Sequence, residues 1–434
     1  MRGACCGASR ASGRGFGRAR MACVLAAGLL LVCGSGRIGP SSRESASAPP
    51  CANVEVTTLG GQAVRGTLRA AFPELVLDTG SDEVTLAWAQ VLWVRVVAEP
   101  AAPPPASAPW RVELNDGSRF GARIDERRNE SPDNAASVLP VRLPGGLVAE
   151  IPSRHLRAIV RTNPGTSAAA RLRDVLAANA PRQDVIVVER GGKTMVLRGV
   201  VRRLDSGAVA FAWKTRTLRV PWDRVAGLRM AEDVSGTAVC RVTRRDGDAF
   251  AGVVVGGDAT TLELRNATLG TFRLPWVQIQ RIDCRSPYVT FLSDIAPAHY
   301  ECTPLFTKRW PWAADKTLRG RPLRLGGREF ARGIVMHSRS TLAYAIGGRY
   351  QRFVALAGIL DETGGRGDVT MTVLGDGRVL WRGEHVCGGV PPRRVSVDVT
   401  GVHVLTLVVD FGDDLDLSDH ACWAQARLVG VGGD

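Results

Sequence analysis

Between about residue 51 and residue 285 the chain repeats one short unit four times, and this repetition limits the possible folds more than any other feature. Each copy ends in a related tag: Leu86-Ala87-Trp88-Ala89-Gln90-Val91, Ile151-Pro152-Ser153-Arg154-His155-Leu156, Val220-Pro221-Trp222-Asp223-Arg224-Val225 and Leu274-Pro275-Trp276-Val277-Gln278-Ile279. Three residues further on each copy places an apolar residue, Val94, Ile159, Leu228 or Ile282. Each copy also holds a glycine: Gly66, Gly121, Gly199 or Gly252. From that glycine to the tag tryptophan the spacing is 22, 23 and 24 residues in copies one, three and four. Copy two carries a polar insertion around Asp125 to Ala136. Between glycine and tag lies an alternating strand such as Leu75-Val76-Leu77 or Leu262-Glu263-Leu264.

Turns such as Asn115-Asp116-Gly117 and Arg245-Asp246-Gly247 punctuate every copy, so each reads as a small, strongly bent sheet of about five strands. The tag proline has no N–H to give to a ladder and belongs at a strand end, with the tryptophan folding over the open end of the unit. In shape the units are analogous to SH3-like or Sm-like barrels. Their expected limits are 51–98, 110–162, 183–232 and 237–285. A Pro/Ala linker at 99–109 and a linker with a short helix at 163–182 divide them, so copies one and two are expected to be separable from three and four.

The period of two continues after residue 286. Val369, Met371 and Val373 alternate with Thr370 and Thr372, and Val395, Val397 and Val399 with Ser396, Asp398 and Thr400. Each set lines one face of a half-buried strand. Asp376-Gly377 between two such runs is a hairpin signal, because a tight turn needs the positive φ that glycine accepts. With no long amphipathic helix in sight, an all-β sandwich at 286–430 follows.

The order of residues in this last region resembles the NPCBM family. The matching pieces include Gly333, His337-Ser338, Tyr344, Gly348 to Phe353, Gly358, Asp361, Gly375-Asp376-Gly377, Gly401 and Asp419-His420-Ala421-Cys422-Trp423. The resemblance implies a jelly-roll sandwich related to galactose-binding domains, of a kind often attached to glycoside hydrolases and common in exported bacterial proteins. It also implies a glycan as partner. The residues expected to meet sugar are Trp310, Trp312, His337, Arg339, Asp361 and Trp381. Trp310-Pro311-Trp312 suits stacking on a pyranose, although a plug at the mouth of the sandwich fits the same residues. Histidines at 337 and 420 also fit plain loop or core hydrogen bonding.

Other residues bear on cofactors and location. The run Asp410 to Asp419 crowds five carboxylates into ten residues, a composition that suits calcium or a solvated acidic loop. Asp410, Asp413, Asp416 and Asp419 are the expected ligands of a structural calcium ion. Arginines followed by an apolar run from Met21 to Val32 and then Gly34-Ser35-Gly36 read as a signal peptide at 1–36, with a Ser/Ala/Pro linker at 37–50. The mature chain is therefore expected to be exported, to the periplasm, cell surface or extracellular space, without a transmembrane segment. Export permits disulfides, and Cys240 with Cys284 and Cys302 with Cys422 are the expected pairs.

The formal charge of +14 is carried mostly by scattered arginine rather than by a basic stripe, so nucleic acid is not an expected partner. No Ser-His-Asp, P-loop or dinucleotide pattern stands out, and once repeats and sandwich are counted no domain remains to hold the paired carboxylates of a glycosidase. The expected function is non-catalytic carbohydrate binding by an exported protein. The alternative is a structural or interaction protein of the cell envelope that uses its barrel repeats for protein contacts.

Overall fold

The structure is a computed structural model and describes residues 51–97, 108–125, 137–177, 181–231, 239–303, 305 and 309–431. The expected signal peptide, the linker at 37–50 and most of the Pro/Ala linker lie outside the described residues. Nearly every element is a β-strand, and the described residues hold one α-helix, Thr166–Ala177.

Copy one shows how a repeat is built. Strands Asn53–Thr58, Ala63–Ala70, Glu74–Asp78 and Glu83–Ala87 form an antiparallel meander. A single 3-10 turn, Trp88–Gln90, then reverses the chain, and Val91–Val96 returns beside the first strand. The tag is this turn. In the other copies Pro152, Pro221 and Pro275 stand just before it in extended conformation, where a missing N–H costs nothing. The tag tryptophan folds back over its own unit. The indole N–H of Trp88 donates to Ala71 O at 2.8 Å, that of Trp222 to Asp205 O at 2.8 Å, and that of Trp276 to Asp258 O at 3.0 Å.

The repeat glycines have a steric cause. A Cβ on Gly199 would stand 2.0 Å from Ala212 O, and one on Gly66 or Gly252 would stand 2.6 Å from the carbonyl oxygen of Asp78 or Arg265. The second strand bends across the third there, and only a residue without a side chain allows the approach.

The copies are not divided as the linkers suggest. The last strand of copy one pairs with that of copy four, Val94 opposite Ile282. The last strand of copy two pairs with that of copy three, Ile159 opposite Leu228. The two halves also meet, through the stacked rings of Phe120 and Phe250 at 5.6 Å and the Arg111–Asp248 ion pair at 2.7 Å. The expected separation of copies one and two from three and four is therefore corrected: pairing crosses that division, and one apolar core runs through all four. Helix Thr166–Ala177, expected as a short helix, lays Ala168 and Leu172 on Val187 and Ala226.

The C-terminal region is a two-sheet antiparallel sandwich. One sheet orders Ala313–Ala314, Gly333–Met336, Ala421–Gly430, Tyr350–Ile359 and Arg393–Asp398, with Val289–Phe291 also on the long strand Ala421–Gly430. The other orders His299–Cys302, Ser340–Ala345, Val404–Phe411, Asp368–Gly375 and Arg378–Cys387. Val369, Met371 and Val373 are buried between the sheets, as their alternation requires, against Tyr344, Phe353 and Trp423. Asp376 and Gly377 make the expected hairpin turn with φ of 47° and 81°.

Sandwich and repeats touch directly. Leu59, Leu92 and Trp93 pack on Val354 and Val429. Arg427 is buried at this seam, where its Nε donates to Leu59 O at 3.1 Å and its Nη1 to Gln425 O at 3.2 Å. Burial pushes its pKa down to about 9.

The described cysteines are free thiols. Cys240 and Cys284 do face each other across paired strands, with their sulfurs 3.2 Å apart. Cys302 and Cys422 stand in different sheets of the sandwich, so that expected pair is not formed.

The close approach at the repeat glycines makes a quantitative expectation. Gly199→Ala should cost about 1–3 kcal/mol, the usual penalty of forcing atoms into a packed site, read from the denaturant midpoint. An unchanged midpoint would contradict the contact.

Candidate functional site

Loops at one rim of the sandwich collect four side chains. His337 follows strand Gly333–Met336, His420 precedes strand Ala421–Gly430, and Glu362 lies in the 3-10 turn Asp361–Thr363. Trp310 comes from the segment before Ala313–Ala314. The Trp310 ring lies flat on His337, with centroids 4.5 Å apart and planes 5° from parallel. Its edge contact with His420 is at 5.7 Å, and the two imidazoles are 5.8 Å apart. His420 Nδ1 meets Glu362 Oε1 at 3.0 Å, while Glu362 Oε2 is buried without a hydrogen-bond partner among the described residues.

The backbone of Trp310 is anchored: the Tyr300 hydroxyl donates to its carbonyl oxygen. Burial raises the Tyr300 phenol well above its ordinary pKa, so it stays a donor. His337 and His420 are almost fully buried, at 2% and 7% exposure, whereas Trp310 is half-buried and forms the accessible side of the group. A cleft of about 530 Å³ reaches Glu362 from the side of Arg321 and Arg324. The cluster offers an accessible aromatic face at Trp310, able to stack on a ring, backed by two buried imidazoles and the Glu362 carboxylate.

The other residues expected to meet sugar are placed differently. Asp361 accepts the N–H groups of Gly326 at 2.8 Å and Gly327 at 2.9 Å, and so holds a hairpin turn. Arg339, in left-handed conformation at φ 52°, lays its guanidinium over Phe411 at 5.4 Å. Trp312 packs on the sandwich core, and Trp381 meets Trp423 edge-on at 5.9 Å. Sequence reasoning paired no acid with His420; the partner Glu362 lies 58 residues away and only the fold brings it near.

Beside the rim the acidic loop splits into two groups. Asp419 is fully buried; its carboxylate oxygens make no well-formed hydrogen bond among the described residues, and the Ser338 side chain and the Asp368 backbone are the polar groups that ease its charge. Asp414 Oδ1 is buried and unpartnered too. Burial, reinforced by the charges of Asp414 and Asp416, pushes the Asp419 carboxyl up to about 7. Asp413 instead joins Asp368 and His385, whose ligand atoms lie within 4.8 Å of one another. Asp410 is exposed and accepts the N–H of Phe411 at 2.9 Å.

The NPCBM/NEW2 domain family matches residues 289–429, the sandwich. A protein of Renibacterium salmoninarum that carries the name of an endo-alpha-N-acetylgalactosaminidase is 29% identical over 110 residues, which is 25% of this chain. The match spans 7% of that relative's length. Similar solved structures include CBM51 from Clostridium perfringens GH95 in complex with methyl-galactose, at 22% identity and a TM-score of 0.30, covering 32% of this chain and 99% of that one. Another is CBM51-2 with GlcNAc and INT domains from Clostridium perfringens ZmpB, at 22% identity and a TM-score of 0.31, covering 44% of this chain and 40% of that one. Among the described residues no helix is long and apolar enough to cross a membrane.

Asp361 separates a structural from a sugar-binding role. Asp361→Ala should lower stability by about 1 kcal/mol through loss of its two backbone contacts, read by chemical denaturation. Unchanged stability with weakened sugar binding would assign it to the ligand instead.

Proposed function

We propose that the protein is a non-catalytic, exported carbohydrate-binding protein whose sandwich takes a glycan at the Trp310 rim. The carrying observation is the Trp310–His337–His420–Glu362 cluster inside the region that matches the NPCBM/NEW2 domain. Trp310 supplies a flat face for the apolar side of a pyranose, held rigid by His337 behind it and by Tyr300 at its carbonyl. Behind that face the contact between Glu362 and His420 holds the two loops in place.

The same cluster supports a binding role over a catalytic one. Glycoside hydrolysis uses two carboxylates across the scissile bond, and here Glu362 is the carboxylate of the group and is tied to an imidazole. Against a panel of galactose-, N-acetylgalactosamine- and N-acetylglucosamine-terminated glycans, the full chain should bind at least one. Trp310→Ala should weaken that binding by at least tenfold, the loss expected for about 1.4 kcal/mol or more of stacking. Absence of binding across the panel, or binding indifferent to Trp310→Ala, would overturn the reading.

We also propose that the acidic loop takes a structural calcium ion at Asp419. A buried carboxylate is costly, and a divalent cation shared with Asp414 and Asp416 would offset that cost beyond what the Ser338 hydroxyl and the Asp368 backbone supply. Calcium should raise the melting temperature by several degrees, chelator should reverse the shift, and Asp419→Ala should abolish it. Identical melting with calcium and with chelator would remove the ion.

A further inference from the structure

A second surface lies away from the Trp310 rim, where the repeats face the sandwich. The pairing of copy one with copy four sets its floor. Across three neighbouring strands the register puts Arg95, Arg281 and Thr243 in one row, and Trp93, Asp283 and Arg241 in the next. Residues directly opposite in a sheet share a face, so these two rows point the same way. The opposite wall comes from the sandwich: Arg324 and Arg328 on the hairpin of strands Leu323–Leu325 and Arg328–Phe330, then Arg332. Two adjoining hollows of about 260 Å³ and 420 Å³ lie between these walls.

The charges are unbalanced. Arg281 is committed to Asp283, Arg332 to Asp294 and Asp315, and Arg328 reaches Glu55 at 3.4 Å. Asp116 is engaged by Asn266 at 2.7 Å. The guanidinium groups of Arg95, Arg241 and Arg285 have no hydrogen-bond or ion-pair partner among the described residues. Arg95 stands directly opposite Arg281, a like-charge pairing that destabilises a sheet unless an anion answers it. Two further features face the same hollows. Trp93 is 5% exposed, and its indole N–H, a donor only, finds no acceptor among the described residues. Gln425 lines both hollows from a bulge in strand Ala421–Gly430 at φ 54°, and bulges of this kind re-aim side chains at functional places.

We propose that this cleft binds an acidic saccharide through its carboxylate or sulfate groups, met by Arg241 and Arg285 in one hollow and by Arg95 in the adjoining one, with Trp93 lining both. Guanidinium groups match the planar acceptor pairs of carboxylate and sulfate. The anion follows from the arginines alone; that a saccharide carries it rests on the glycan-binding reading above.

The test uses the full chain with three saccharide probes and one salt: an oligogalacturonate for carboxylate, a sulfated galactan oligosaccharide for sulfate, a neutral galactan oligosaccharide, and sodium sulfate. Calorimetric titration should show one acidic saccharide binding at least tenfold more tightly than the neutral one, with affinity falling as sodium chloride rises. The double variant Arg95→Gln, Arg241→Gln should lose at least tenfold in that affinity while melting no lower than the parent, since it removes a like-charge contact. Trp310→Ala should leave acidic-saccharide binding as it was. Equal affinity for acidic and neutral probes, or a double variant that binds like the parent, would overturn the cleft. Loss of acidic binding in Trp310→Ala would move it to the rim and overturn the cleft likewise. Sodium sulfate binding as tightly as the saccharides would overturn the saccharide assignment.

Discussion

The four repeats, and with them the floor of the cationic cleft, depend on the pairing of last strands between copies. A unit of about fifty residues buries only a marginal core by itself. Each unit here closes with an apolar strand, Val91–Val96 or Val225–Arg229, whose free edge would invite foreign strands. Joining copy one to four and two to three satisfies those edges and buries Val94, Ile159, Leu228 and Ile282 in one continuous core. The last strands are thereby occupied within the chain, while Glu83–Ala87, Val148–Pro152, Arg216–Pro221 and Gly270–Pro275 each pair on one side only among the described residues. The pairing also decides which residues look toward the sandwich: were the copies joined otherwise, Arg95 and Arg281 would not be neighbours.

The contact between repeats and sandwich is apolar at its centre and charged at its margin. Leu59, Leu92 and Trp93 close on Val354 and Val429, each apolar side chain contributing about 1.5–3 kcal/mol on full burial. Arg427 crosses the seam and gives its Nε and Nη1 N–H groups to backbone carbonyls, while its Nη2 is buried with no hydrogen-bond partner among the described residues. Beyond it the arginines open outward. The molecule thus presents two chemically distinct faces, an aromatic and imidazole rim at the end of the sandwich and a cationic cleft along its side.

Local features were legible in the sequence because their causes are local. The tag reads as a strand end followed by a tryptophan, and the structure shows the 3-10 turn and the indole bond to a carbonyl upstream. Asp376-Gly377 reads as a hairpin turn because positive φ is a property of those two residues. Which copy pairs with which was not legible. The four last strands carry nearly the same alternation, and their partners lie far along the chain, so spacing alone favoured neighbours. The rim was legible in part. Trp310 and His337 stand out by type, but the contact of His420 with Glu362 exists only once two loops fold together. The carboxylates of the acidic loop were visible, whereas the burial that singles out Asp419 was not.

Amide hydrogen exchange along Val91–Val96 and Ile279–Cys284 in the full chain tests the central arrangement most directly. Strands bonded on both sides should exchange as slowly as the central sandwich strand Ala421–Gly430, with both segments opening together. Exchange of either segment at the rate of a solvent-exposed edge would mean the copies are not joined this way, and the cleft would lose its floor.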